Sequence, residues 1–184
     1  IAKGNEKGYG DATRFLTHWL EGSGTPLSVS PELFENKKVK EAIEGTYYYF
    51  SSEYHGQRKN IYDNISNGIY EFNESWDRTL TFDPVLDQKN YLAYGSASVK
   101  SSGKVSVKDS GQYYEVTVTI TQNKFYDKYD WNNGEGTGYI NFSDSVEDAA
   151  MKKLEGKNSY GAKEFRIERI KSTNKVINYR LPKL

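Results

Sequence analysis

The chain has 184 residues, no cysteine, two histidines, and 25 basic against 25 acidic side chains, so its formal net charge is zero. Those counts exclude disulfides, thiol catalysis, cysteine-ligated zinc and any multi-histidine metal site. They also leave no excess positive charge with which to hold a nucleic acid. A mean hydropathy of −0.83 and the lack of a long apolar run exclude a transmembrane helix.

Length alone places residues 1–184 in a single domain with room for a core. Residues 1–10 are polar and glycine-rich, lack the apolar stretch of a signal peptide, and read as a linker. A start at Ile1 is expected for a domain excised from a longer polypeptide whose upstream parts handle delivery. Apolar side chains at Ala12, Phe15, Leu16, Trp19 and Leu20 then recur at helical spacing over Asp11–Glu21, with Asp11 as N-cap and Gly22 or Gly24 as stop. Ser30-Pro31-Glu32 predicts a second helix whose apolar side is Leu33, Phe34, Val39 and Ile43, ended by Gly45.

From Thr46 the composition turns towards strand formers, in a chain with 15% aromatic residues. Thr46–Ser51 reads as a strand, 53–67 as a loop or hairpin, Ile69–Phe72 and Thr79–Phe82 as short strands, with Asp83-Pro84 as a turn. Tyr91–Val99 and Val105–Val107 follow, separated by a turn at Ser101-Ser102-Gly103. A long strand from Tyr113 to about Phe125 alternates Tyr114, Val116, Val118 and Ile120 with polar neighbours. Ser143–Gly156 reads as a later helix; Glu164–Ile170 and Lys175–Leu181 read as closing strands around a Ser172-Thr173-Asn174 turn. The order predicts an α+β fold, N-terminal helices packed on a curved antiparallel β-meander, half-barrel-like, with one later helix and closing strands.

The densest polar constellation is Asp127-Lys128-Tyr129-Asp130-Trp131-Asn132. Strand alternation puts Asp127 and Tyr129 on one face, and a bend after Tyr129 would bring Asp130 round to them. Two carboxylates and a phenol there suit a divalent cation or a polarised water facing a phosphate; the plainer reading is that Asp and Asn stop a strand while Tyr and Trp fill a core. His18 is either a general base or a residue at the core edge making one hydrogen bond. His55 and Arg58 either act together on a phosphate or belong to an exposed loop. Gly134, Gly136 and Gly138 have the wrong spacing for a dinucleotide loop, and no nucleophile elbow, phosphate loop or zinc-protease motif is present.

Two segments resemble the activity domain of colicin M and related bacteriocins. One is Phe15-Leu16-Thr17-His18-Trp19-Leu20-Glu21-Gly22-Ser23-Gly24. The other runs from Tyr94-Gly95-Ser96-Ala97-Ser98-Val99 through the glycine-punctuated meander to Tyr126-Asp127-Lys128-Tyr129-Asp130-Trp131-Asn132. The likeness spans roughly residues 12–170, with 46–90 unmatched. It implies a secreted or delivered antibacterial toxin acting in the periplasm of the target bacterium. There it would hydrolyse lipid II, a membrane-bound lipid-linked cell-wall precursor, between the undecaprenyl chain and the pyrophosphate. It also implies a cognate immunity protein as partner. By residue match Asp127, Tyr129 and Asp130 take the places of active-site residues, and the family's Mg²⁺ would fall to Asp127 and Asp130. Asn132, Glu135, His55, Arg58 and His18 are secondary candidates. The chain departs from the pattern where the family has an adjacent His-Arg pair: here stand Glu135-Gly136-Thr137. That departure leaves two other readings, a toxin of the same fold that damages the envelope without cleaving lipid II, and a non-catalytic secreted β-rich binding module.

Overall fold

In the computed structural model, residues 8–129 and 162–184 are described. The expected helix at 143–156 lies outside them. Among the described residues, helices α1 (Gly10–Glu21), α2 (Lys37–Tyr49), α3 (His55–Ser66) and α4 (Gln88–Tyr94) accompany strands β1 (Leu27–Ser28), β2 (Glu71–Thr81), β3 (Ser96–Asp109), β4 (Tyr113–Tyr129) and β5 (Phe165–Pro182). The strands form one sheet in the order β1-β5-β4-β3-β2. β1 runs parallel to β5, with Leu27 opposite Ile167 and Ser28 opposite Glu168, which makes the sheet mixed. The α+β class read from the sequence is the one observed.

The chain divides into two compact units. The first takes, of the described residues, 8–30, 81–97, 126–129 and 162–168; the second takes Pro31–Leu80, Ser98–Phe125 and Arg169–Leu184.

In the first unit α1 buries Phe15 and Trp19 of the stripe read from the sequence, together with Thr13; Ala12 and Leu16 are half-buried, Leu20 is exposed, and the helix ends at Gly22 with φ 68°. The N-cap is Tyr9 rather than Asp11. Asp11 instead turns inward, accepting from the Tyr94 hydroxyl, from Arg14 Nη2 at 2.7 Å and from the Ser30 backbone at 3.3 Å. The Tyr94 bond ties α1 to α4, against which it packs, and the Ser30 bond ties it to the segment after β1. Asp83 makes the turn foreseen at Asp83-Pro84, its Oδ1 accepting from the amides of Val85 and Leu86 at 2.8 Å each. The expected strand over Tyr91–Val99 is corrected: residues to Tyr94 are helical, Gly95 adopts φ 55°, and the strand begins at Ser96.

In the second unit several expectations are overturned. The single helix expected from Ser30 is a 3₁₀ turn, Pro31–Glu35, followed by α2, capped by Asn36 Oδ1 accepting from the amides of Lys38 and Val39. Nor does Gly45 end α2. It is the place where Arg78 of β2 crosses the helix, since a Cβ there would stand 1.8 Å from Arg78 Nη1. The helix runs on through Thr46 to Tyr49, so the expected strand Thr46–Ser51 does not exist. Val39, Ala42, Ile43, Thr46 and Tyr47 make its buried stripe, and packing overrides the β preference of the tyrosine run. Residues 55–66, expected as loop or hairpin, are α3, anchored by buried Gln57 and Ile61 one turn apart. The two short strands expected around 70 and 80 are one, β2.

The expected turn at Ser101-Ser102-Gly103 is strand interior. Ser101 is buried and polar because it bonds to Asn123 Oδ1 at 2.7 Å and to the Thr46 hydroxyl; Asn123 in turn donates to the Tyr47 hydroxyl at 2.7 Å. Gly103 lets β4 come close: a Cβ would lie 2.3 Å from Thr119 O. Likewise the expected turn at Ser172-Thr173-Asn174 lies within the continuous β5. β4 keeps its alternation through Val116, Val118 and Ile120, then shifts by one residue to bury Asn123 and Phe125, each buried apolar side chain contributing roughly 1.5–3 kcal/mol.

Candidate functional site

The site read from the sequence begins at the end of β4. The strand continues through Tyr129, so Asp127 and Tyr129 share a face and Lys128 points the other way, where it pairs with Glu164. Tyr129 is built into an aromatic wall. Its ring lies 5.1 Å from Phe165 of β5 at 25° and 5.7 Å edge-on from Phe15 of α1. Phe15 also meets Tyr94, edge-on at 5.6 Å. The two sequence stretches that carry the family resemblance therefore pack on each other. Burial drives the Tyr129 phenol pKa well above its usual value. The group stays protonated through neutral pH and can donate a hydrogen bond, but it cannot serve as a phenolate base.

His18 stands next to this wall, edge-on to Phe165 with centroids 4.6 Å apart. Its Nε2 lies 2.8 Å from Thr25 O and 2.9 Å from Ser23 Oγ. A carbonyl only accepts, so Nε2 carries the proton and a neutral ring keeps Nδ1 as its acceptor. His18 thus fastens the loop after α1 while sharing Phe165 with Tyr129. The sequence reading placed Phe165 in the closing strand Glu164–Ile170 but did not connect it with the site.

His55 and Arg58 belong to the second unit, in the first turn of α3 rather than in a loop. Arg58 Nε is engaged by Ser52 O. Asp130, Asn132 and Glu135 lie outside the described residues. Among the described residues no three His, Cys, Asp or Glu side chains gather to hold a metal ion, and no helix is long and apolar enough to cross a membrane.

What stands in the structure is an α+β chain in which helix α1 closes on the end of strand β4 through Phe15 and Tyr129. Two solved structures are similar to it, both colicin M-like bacteriocins. Truncated syringacin M from Pseudomonas syringae pv. tomato DC3000 shares 17% identity over 93% of this chain and 60% of its own, with a TM-score of 0.42. Pectocin M2 shares 18% identity over 94% of this chain and 54% of its own, with a TM-score of 0.34. The chain thus spans 60% and 54% of the two proteins' lengths. At such identities and scores no residue role passes from either protein to this one. No family model and no curated protein matches the chain.

Proposed function

We propose that this chain is an antibacterial toxin domain of the colicin M type that hydrolyses lipid II at the bond between the undecaprenyl chain and the pyrophosphate. One observation carries the reading: the early helix and the strand ending in Asp127-Lys128-Tyr129, the two stretches that resemble the family, meet through Phe15, Tyr94 and Tyr129. In this proposal the Asp127 and Asp130 carboxylates activate and orient water. Tyr129, protonated and held by its wall, donates to an oxygen of the departing pyrophosphate, where charge develops. A divalent cation belongs to the proposal as well. Asp127 is the one carboxylate that the described part of the motif offers it, so no step here depends on the ion.

The toxin would reach the periplasm of a target cell, meet its substrate at the membrane surface, and be neutralised in its producer by an immunity protein. The test is direct. Purified protein with lipid II and Mg²⁺ should release a pyrophosphoryl-linked sugar product, EDTA should stop it, and Asp130→Ala and Asp127→Asn should abolish it. Intact lipid II at high enzyme concentration overturns the hydrolase reading. The absent His-Arg pair at Glu135-Gly136-Thr137 favours a second reading, envelope damage without cleavage. Dye leakage from target cells with lipid II unchanged would support that one.

A further inference from the structure

The first unit carries two neighbouring apolar side chains that its core leaves outside. Val85 and Leu86 are 83% and 88% exposed. Among the described residues, Leu184 at the C-terminus is the one large apolar side chain more open than these. Their loop is closed at its base. Phe82 and Tyr94 are buried and meet at 5.7 Å, and the Phe82 amide donates to Gly95 O at 2.9 Å. The apolar residues at the base fill the core, and those at the tip face water.

Hydrogen bonds fix the tip in place. Asp83 Oδ1 accepts from the amides of Val85 and Leu86 at 2.8 Å each, and Asp83 O accepts from the Asp87 amide at 3.0 Å. Pro84 has no N–H to satisfy. From residue 84 to residue 87, then, every backbone donor is paired or absent, and the tip can leave water without stranding one. Asp87 in turn accepts from Asn90 Nδ2 at 2.8 Å, and exposed Lys89 follows on α4. Two aliphatic side chains held side by side in water forgo the gain of burial, so what the tip lacks is an apolar phase from outside the chain.

We propose that the Val85-Leu86 tip inserts into the headgroup and upper acyl region of a lipid bilayer and seats the first unit on a membrane surface. The size of the patch decides between occupants. A stable protein interface, a second copy of this chain included, takes about 20–30 residues and 800 Å² a side, and two adjacent side chains on a turn fall far short of that. Insertion into lipid has no direction to satisfy and needs only a few apolar side chains at an exposed tip. Charge does not supply the attraction. The chain sums to zero, and at the tip Asp83 and Asp87 outnumber Lys89, so the contact is apolar and independent of anionic lipid. Helix α4, seven residues and so about 10 Å long, joins the tip to Tyr94, whose ring meets Phe15 of the Tyr129 wall at 5.6 Å. The candidate site therefore stands one short helix from the seated tip. The inference rests on Val85 and Leu86 and is independent of the hydrolase reading.

The full chain is mixed with vesicles of phosphatidylcholine alone and of phosphatidylethanolamine with phosphatidylglycerol, neither containing lipid II, and bound protein is measured by flotation. Saturable binding to both is expected, changing less than about threefold between about 0.1 and 0.5 M NaCl. Val85→Ser combined with Leu86→Ser should weaken it at least about tenfold and leave Tm within about 2 °C, since both side chains already face water. The chain has no cysteine, so an environment-sensitive dye can be placed on Leu86→Cys alone. Its emission should shift to the blue on vesicles, while the same dye on Val176→Cys in β5 should not move. No binding to phosphatidylcholine vesicles, binding lost in high salt, or unchanged binding in the double variant overturns the proposal. So does a large fall in its Tm, which would mean that the pair serves the fold, or an equal shift of the dye at residue 176. A dimer of the native chain that the double variant abolishes would assign the tip to a second copy and overturn it too. Cleavage of lipid II in detergent solution is a separate readout, so either reading can fail while the other stands.

Discussion

Replacing Tyr94 by Phe isolates the ionic hydrogen bond that joins α1 to α4. Tyr94 is buried and its hydroxyl donates to Asp11 Oδ2. A hydrogen bond to a charged acceptor contributes roughly 1.5–3 kcal/mol. Asp11 is not stranded by the change, because Arg14 at 2.7 Å and the Ser30 amide at 3.3 Å remain. The lower half of the range therefore applies, about 2 kcal/mol at pH 7. The pH dependence has a definite sign. Burial pushes the Asp11 pKa up, but Tyr94, Ser30 and Arg14 together bring it below 3.8. A carboxyl depressed in the folded state adds stability that is full above its unfolded pKa and is lost as pH falls through the folded one. The penalty of Tyr94→Phe should hold steady from pH 7 to pH 5 and shrink below pH 3.8. On the alkaline side the Tyr94 phenol is raised above 10.0, first by burial and then by Asp11, so its contribution is full below 10.0 and fades as pH climbs past it. Urea unfolding of both proteins at pH 7, 5 and 3 measures all of this on the acid side. A loss under about 0.5 kcal/mol at pH 7, or an equal loss at pH 3, refutes the reasoning.

Two further changes probe the packing that positions the candidate site and the sheet. Phe15→Ala removes a fully buried ring that touches Tyr94, Tyr129 and Phe165 at 5.6, 5.7 and 6.0 Å. It should cost about 4 kcal/mol in urea unfolding, and a cost near 1 kcal/mol would show that the wall around Tyr129 does not depend on it. Gly103→Ala puts a Cβ 2.3 Å from Thr119 O and 2.7 Å from Ile120 Cα, both backbone atoms. The two strands must part, at about 2 kcal/mol or more, and amide exchange should quicken at residues 103, 119 and 120. Exchange unchanged at those amides would contradict the contact.

Elements whose burial follows a regular period were legible. Phe15 and Trp19 of the α1 stripe and the alternation of β4 from Val116 to Ile120 follow the period that the sequence shows. The misreadings share a different cause: residues whose local habit is reversed by a distant partner. Thr46-Tyr47-Tyr48-Tyr49 has strand composition, but the stripe from Val39 to Tyr47 carries the helix through it. Gly45 and Gly103 look like stops and are places where Arg78 and β4 press in. Ser101 looks like turn material and is the centre of a buried network with Thr46 and Asn123. Ser172-Thr173-Asn174 looks like a turn because that stretch of β5 is largely exposed. At the candidate site, the shared face of Asp127 and Tyr129 follows from strand period alone. The wall of Phe15 and Phe165 depends on which strands and helices meet, and no spacing in the sequence encodes that.

Each of the two compact units is assembled from three separated stretches of chain, and β3, β4 and β5 all pass from one set of residues to the other. No single cut can therefore release either unit as an intact fragment. Trimming from either end removes one stretch of a unit and leaves its other two in place, and a chimera that exchanges one unit must splice every one of those three strands. Variation between related chains is then expected to accumulate as substitutions and loop changes, with wholesale exchange of a contiguous block disfavoured.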